Sequence, residues 1–406
     1  MRPLQIYLDS ADFSDLSESN KPDHLNSIEE KLLSWQELGF IEMRFSYIHV
    51  IEASPLRKED IELARNRIDK ISQLCGKKCF ASTIEILERE CSNTGEFNLQ
   101  SYSEWLYRND GQWVPPIDGI DVESLSATAL LRNEISNAGH DRSTRRKLQR
   151  TFFDPQGRLR TAGKAKLREG RASVVREIED RYPLPPGAAE KLALALETGA
   201  QQSELRELVR SSVSDLRYWP QWFLKQWEKI TPMCSLLRTG ANQLNSDLLK
   251  HSEDIRNAYR EAIADGLPHE KLEQFFRREF DKEILNMQRT IVARMSENPV
   301  SPSSLQTKMS PWETAPGMTC ALTVQSRIAR RQLVLSGKGR PPDEGDFGDA
   351  LHCAHFPFVD LFRADGFTAS MISEAKLHNH FKVKVVPKLT QLPDAIENSL
   401  KESGRI

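Results

Sequence analysis

The sequence predicts an α/β protein with a central parallel sheet, split by a large all-α insertion. Three observations predict it. Apolar runs at residues 4–8, 47–51 and 358–362 suit buried strands, and helical stretches separate them. An acidic residue follows each run: Asp9, Glu52 and Asp365. Between these ends, residues 121–295 keep a helical period.

The first strand ends at Asp9 in IYLDSADFSDL, where Asp12 and Asp15 read as helix-start carboxylates favoured by the dipole. Ile28, Leu32, Leu33, Trp35 and Leu38 form an amphipathic helix that Gly39 closes. Residues 41–51 are extended and apolar, with Glu52 after them. A charged helix over 55–74 carries Ile61, Ala64, Ile68 and Ile71 on one face. Residues 79–87 are ambiguous. Gly, Asn, Trp and Pro crowd residues 94–120, which marks a boundary. Within the insertion, Leu205, Leu208, Val209, Val213 and Leu216 share a helical face, as do Ile255, Ala258, Tyr259, Ala262 and Ile263. Four prolines fill the loop 298–316, and a helix over 318–335 precedes a Gly/Pro loop at 336–345.

The last stretch reads helix, strand, acidic turn, helix, strand. Asp346 is a predicted N-cap, and Pro357 stops the helix behind it. Residues 358–362 form the strand, Asp365-Gly366 the turn, and residues 381–386 the final strand. Parallel strands place active sites at their carboxyl ends. Asp365 stands at one such end, and Asp349 opens the helix that leads into it. The predicted division is 1–95, 96–310 and 311–406.

Composition narrows the function. At 406 residues and net charge −2, the chain exceeds one ordinary domain and is no polycation. Six cysteines are scattered without a CxxC pair, which argues against zinc and for reduced thiols in a cytoplasmic setting. No run approaches the length of a membrane span. The spacing Asp9-x-x-Asp12 misses the Asp-x-Asp of haloacid-dehalogenase-type phosphatases. No phosphate-binding P-loop, dinucleotide fingerprint or serine elbow occurs. The letters His378-Asn379-His380 spell HNH but lack the ββα setting of that nuclease class.

The stretch DALHCAHFPFVDLFRADGF and the early IYLDSADFSDL together resemble PIN-like domain nucleases. The resemblance covers roughly the first hundred residues and the last ninety, and leaves the middle uncovered. It implies a catalytic, metal-binding set of Asp9, Glu52, Asp349 and Asp365, with Mg²⁺ or Mn²⁺ as cofactor. It also implies endonuclease action on RNA more than DNA. Asp346 and Asp360 are further candidates for the metal, Asp360 with a structural alternative. An oxygen-only ligand set suits a hard divalent ion, and such ions activate water and steady the leaving oxygen in phosphodiester hydrolysis. Four carboxylates brought together would otherwise repel. His352, one turn after Asp349, is placed to hold a metal-bound water or the phosphate.

The substrate signal lies in the insertion. Residues 142–171 contain eleven basic residues against Asp154 and Glu169, a window of +9 while the rest of the chain carries −11. That asymmetry is the footprint of a polyanion binder. Arg145, Arg146, Lys147 and Arg150 lead it, with Phe152 and Phe153 placed to stack on bases. Arg327, Arg330, Arg331, Lys338 and Arg340 stand ready to add phosphate contacts. The aromatic stretch of Tyr218, Trp219, Trp222, Phe223 and Trp227 reads as core. The main rivals are a DNA endonuclease of the same fold and a non-catalytic module that binds nucleic acid or protein. A toxin-like role is an analogy only. The insertion also offers a surface for a protein partner or a second copy.

Overall fold

The computed structural model describes residues 2–92, 102, 105–114, 127–225, 228, 254, 257–272, 274–275, 278–279, 282, 311–332 and 345–406. The chain divides into two compact units, Met1–Trp113 with Thr231–Ile406, and Val114–Ile230. The second unit is narrower than the expected insertion at 96–310.

In chain order the first unit opens with β1 (Leu4–Tyr7), α1 (Ser10–Ser17), α2 (Asp23–Glu37), β2 (Ile41–Met43), α3 (Tyr47–Ala53) and α4 (Ile61–Cys75). It continues with β3 (Cys79–Phe80), α5 (Thr83–Ser92) and β4 (Tyr107–Arg108). The second unit holds α6 (Ala127–Asn137), α7 (Arg142–Phe152), α8 (Thr161–Glu169), α9 (Arg171–Arg181), α10 (Ala188–Thr198), α11 (Gln202–Val213) and α12 (Trp219–Lys225). The first unit then resumes with α13 (Pro311–Thr314), α14 (Pro316–Gln332), α15 (Asp346–His352), β5 (Leu361–Arg363), α16 (Gly366–Glu374), α17 (Leu377–Phe381), β6 (Lys384–Val386) and α18 (Leu392–Glu402).

The central sheet is parallel, with strand order β2-β1-β5-β6. The two middle strands come from opposite ends of the sequence, and Ile6 pairs with Leu361. From β1 the chain crosses to β2 on one side, and from β5 to β6 on the other. The sheet therefore reverses its winding between β1 and β5, and the carboxyl ends of those strands border the crevice where open α/β sheets bind ligands. The short strands β3 and β4 pair antiparallel, and a parallel bridge joins Phe45 to Cys79.

Aromatic packing fixes the sheet from within. Tyr7 and Phe362, neighbours on β1 and β5, stack with ring centroids 5.0 Å apart. Phe80, Phe356, and Cys320, Val324 and Ile328 of α14 belong to one buried cluster with them. Each such side chain contributes about 1.5–3 kcal/mol by leaving water. Buried Glu90 joins α14 to this core. Its two oxygens accept from Gly317 N and Met318 N, each at 2.8 Å, at the start of the helix.

Three expected strands differ. The run at 47–51 is the helix α3, because Ser46 caps it and donates its backbone N–H to His49 Nδ1 at 2.9 Å. Almost every residue of α3 is buried, so no polar face marks a helical period. Phe358, the expected first residue of a strand, ends a 3₁₀ turn over Cys353–Phe358, and β5 begins only at Leu361. Phe381 ends α17, and the last strand is shortened to Lys384–Val386.

In the second unit, Trp219 and Phe223 are buried, as expected of core, and Trp219 Nε1 donates to Val213 O at 2.8 Å. Phe153 is buried as well, with the Arg132 guanidinium 5.2 Å from its ring centroid, which removes it as a base-stacking surface. Trp227, Lys338 and Arg340 lie outside the described residues, as does much of the expected helical pattern at 255–291.

Candidate functional site: a carboxylate group at the switch point

The crevice gathers the four carboxylates that the sequence singles out. Asp9 follows β1 and caps α1, accepting from Ala11 N at 3.2 Å. Asp365 follows β5 and caps α16, accepting from Thr368 N at 2.6 Å. Asp349 stands in the first turn of α15, where Thr368 Oγ1 donates to its Oδ2 at 3.3 Å. Glu52 reaches in from α3. Its Oε2 lies 3.0 Å from His352 Nε2, and its Oε1 lies over Gly348. A Cβ built at Gly348 would meet that oxygen, so a larger residue there requires the Glu52 carboxylate to shift.

The electrostatics of Asp349 record this convergence. Burial is the first cause raising its pKa well above the usual carboxylate range, followed by the charges of Asp9, Glu52 and Asp365. All three other members of the set thus act on one carboxylate.

Each carboxylate also has a protein partner. Arg363, at the end of β5, lies with Nη1 3.5 Å from Asp9 Oδ2 and Nη2 2.8 Å from Asp12 Oδ1. Asp12 is fully buried. Desolvation pushes its pKa up to about 7 against the pull of Arg363. Asp12 also receives Asp9 N at 3.0 Å, which closes a reciprocal capping box at the start of α1. Among the described residues, no three of His, Cys, Asp and Glu are set as a ready-made metal cage. The donor set is nevertheless all oxygen and crowded with like charge, which suits a hard divalent cation.

Beneath the carboxylates lies a buried polar chain. His352 Nδ1 is 2.6 Å from Tyr7 Oη, Tyr7 Oη is 2.8 Å from Ser46 Oγ, and His49 Nε2 is 2.9 Å from Leu8 O. Ser46 N–H points at His49 Nδ1, so that nitrogen accepts and Nε2 carries the proton. Burial holds His49 well below the ordinary histidine range. At His352 burial lowers the pKa, but Glu52, then Asp9 and Asp349, outweigh it and raise it. His352 is therefore a buried brace for Glu52, not an open ligand for phosphate.

The remaining candidates separate. Asp346 is buried at the first position of α15. Asp360 leaves the group: it precedes β5, at the amino end of the strand, and Asp365 follows the carboxyl end. Its Oδ1 pairs with Arg2 Nη2 at 2.9 Å and its Oδ2 accepts from Gln5 N at 2.8 Å. That is the structural alternative, a carboxylate tying β5 to β1. Arg331 pairs with Glu374, and Arg327 is half-buried on α14. Sequence reasoning missed Arg363, Tyr7, Ser46 and His49.

In the second unit, α7 buries no residue, and Arg142, Arg145, Arg146, Lys147 and Arg150 are all exposed. Among the described residues these five have no carboxylate partner, whereas Arg168 and Arg171 of the same basic window pair with Glu197. No described helix is long and apolar enough to cross a membrane. Comparison with family models, with curated proteins and with solved structures finds no match for this chain.

Proposed function

We propose that the chain is a divalent-metal-dependent nuclease of the PIN-like kind, acting on RNA by preference. One observation carries the reading: at the switch point of a parallel sheet Asp9 and Asp365 cap the helices that follow the two central strands, Thr368 bonds both Asp365 and Asp349, and Glu52 meets the same helix as Asp349 through His352. These four residues would hold Mg²⁺ or Mn²⁺ in the crevice. A bound ion of that kind supplies an activated water and neutralises charge on the scissile phosphate. His352 keeps Glu52 aimed, Thr368 holds Asp349, and Arg363 balances Asp9 and Asp12. The exposed cations of α7 supply grip on the polyanion.

Cleavage of single-stranded RNA, structured RNA and both forms of DNA, each with Mg²⁺, with Mn²⁺ and with chelator, tests the proposal. Metal-dependent cleavage of RNA that Asp349→Asn removes supports it. Intact substrates under every condition would sink it. The cations of α7, which have no carboxylate partner among the described residues, favour a second reading, a nucleic-acid-binding protein without catalysis. Binding that is equal with and without metal, in wild type and Asp349→Asn alike, would select it.

A further inference from the structure

A cavity of about 100 Å³ opens beside Glu52, lined by Ser10, Ser14, His49, Glu52 and Arg67 among others. At ~10–15 Å³ per water on this measure, it has room for several waters. Its polar lining is built from three helices, with His49 and Glu52 on α3. Ser10 and Ser14 stand one turn apart on α1, and Arg67 projects from α4. Other cations of α4 are engaged: Arg65 with Asp69 at 3.8 Å, and Lys70 with Glu29 at 2.6 Å. Arg67 is half-buried and, among the described residues, makes no ion pair or hydrogen bond. The Ser14 hydroxyl is likewise uncommitted, while Ser10 Oγ lies 3.2 Å from His352 Nε2.

We infer that this cavity is a phosphoryl-binding subsite, with Arg67 as its cation and Ser10 and Ser14 as its hydroxyl donors. A guanidinium forks two N–H groups onto a phosphate. A half-buried guanidinium with no ion pair among the described residues keeps that fork open. His49 adds only a neutral ring, since its two nitrogens are already used inside the fold. Glu52 is the acidic group in the lining, and it also meets His352 and acts on Asp349 of the carboxylate crevice. With a divalent ion on Glu52, the field in the cavity turns positive, so phosphate and metal should bind with positive coupling. The subsite would seat a backbone phosphate next to the one being cleaved. That placement rests on the proposed nuclease reading; the anion site itself does not.

Inorganic phosphate is the probe, titrated into the full chain with and without Mn²⁺, followed by calorimetry. Wild type should bind it, and more tightly with Mn²⁺. Arg67→Ala should weaken binding at least about tenfold, the scale of one charge-assisted pair. Arg67→Lys should recover part of that, and Ser14→Ala should lose a few-fold. Thermal denaturation of each variant confirms that it is folded. Phosphate binding that Arg67→Ala leaves unchanged, or no binding by wild type, overturns the subsite. Phosphate binding through Arg67 with no Mn²⁺ binding would keep the subsite and remove the metal reading. Mn²⁺-dependent cleavage with an unchanged Arg67→Ala KM would do the reverse.

Discussion

The two units treat charge in opposite ways. In the first, negative charge is drawn inward, and each carboxylate of the crevice is held by a donor: Asp9 by Arg363, Glu52 by His352, Asp349 and Asp365 by Thr368. In the second, the positive charge of α7 stands in water with no counter-charge among the described residues. Crowding carboxylates in a crevice costs desolvation and repulsion, and a fold that keeps them together does so against its own stability. Exposed cations cost little to maintain, so α7 needs no scaffold of partners. The contrast separates a site made for geometry from a surface made for long-range attraction.

The comparison breaks first at the crevice. Asp349→Asn should remove the crowded charge and reduce cleavage on the order of a thousandfold, the several kcal/mol that metal assistance supplies. The fold should persist or gain stability, because a repelled carboxylate has gone. Single-turnover cleavage beside a denaturant melt reads both. A variant that cleaves normally ends the crevice argument.

Neutralising Arg145, Arg146, Lys147 and Arg150 together should act only on the second unit. RNA binding should weaken steeply at low salt. The slope of log K against log salt should flatten by up to about 0.7 per lost phosphate contact on single strands. Melting should hardly change, since none of the four is buried. An unchanged salt slope would show that α7 is merely a solvated face.

Gly348→Ala sharpens the comparison at one atom. The new methyl would displace the Glu52 carboxylate, at a cost of at most about 1–3 kcal/mol. We expect weaker Mn²⁺ affinity together with a lower denaturation midpoint. Wild-type values for both would mean that Glu52 has freedom to leave α15.

The smallest effect is on pH. Asp12 and Glu90 are pushed up by burial to about 7 and about 8. Raised carboxyl pKa values mean that the fold holds protons which the unfolded chain has released. Their contribution is complete below about pH 4, the ordinary carboxylate range, and fades as pH climbs through 7 and 8. The metal-free protein should therefore melt a few degrees lower at pH 8.5 than at pH 6, at fixed ionic strength. A flat or rising midpoint would contradict that assignment.

Much of the crevice was legible in the residues. Asp9, Asp349 and Asp365 each stand where a carboxylate opens a helix, a position that local sequence marks strongly. Glu52 was found although its element was misread, because it follows the same apolar run whether that run is strand or helix. Asp360 has the structural role that the sequence also allowed, but at the other end of the strand, because β5 starts later than its apolar letters do. Arg363 was hidden inside FRADG, where a basic residue at a strand end looks like ordinary punctuation. Its meaning depends on Asp12, 351 positions away, and no local pattern spans that interval. Asp12 did carry a signal: three residues after Asp9, it fits the reciprocal cap seen at α1.

The pairing of Ile6 with Leu361 has a consequence for biosynthesis. A ribosome adds about 5–20 residues each second. During that interval β1 waits beside β2 with one edge unsatisfied, because its second neighbour has not yet been translated. Such an edge invites stray strands from other nascent chains. The centre of the sheet closes late, and contacts so distant in the chain make slow folding the expectation. Until then the acidic crevice does not exist, so it is assembled only when translation has passed β5.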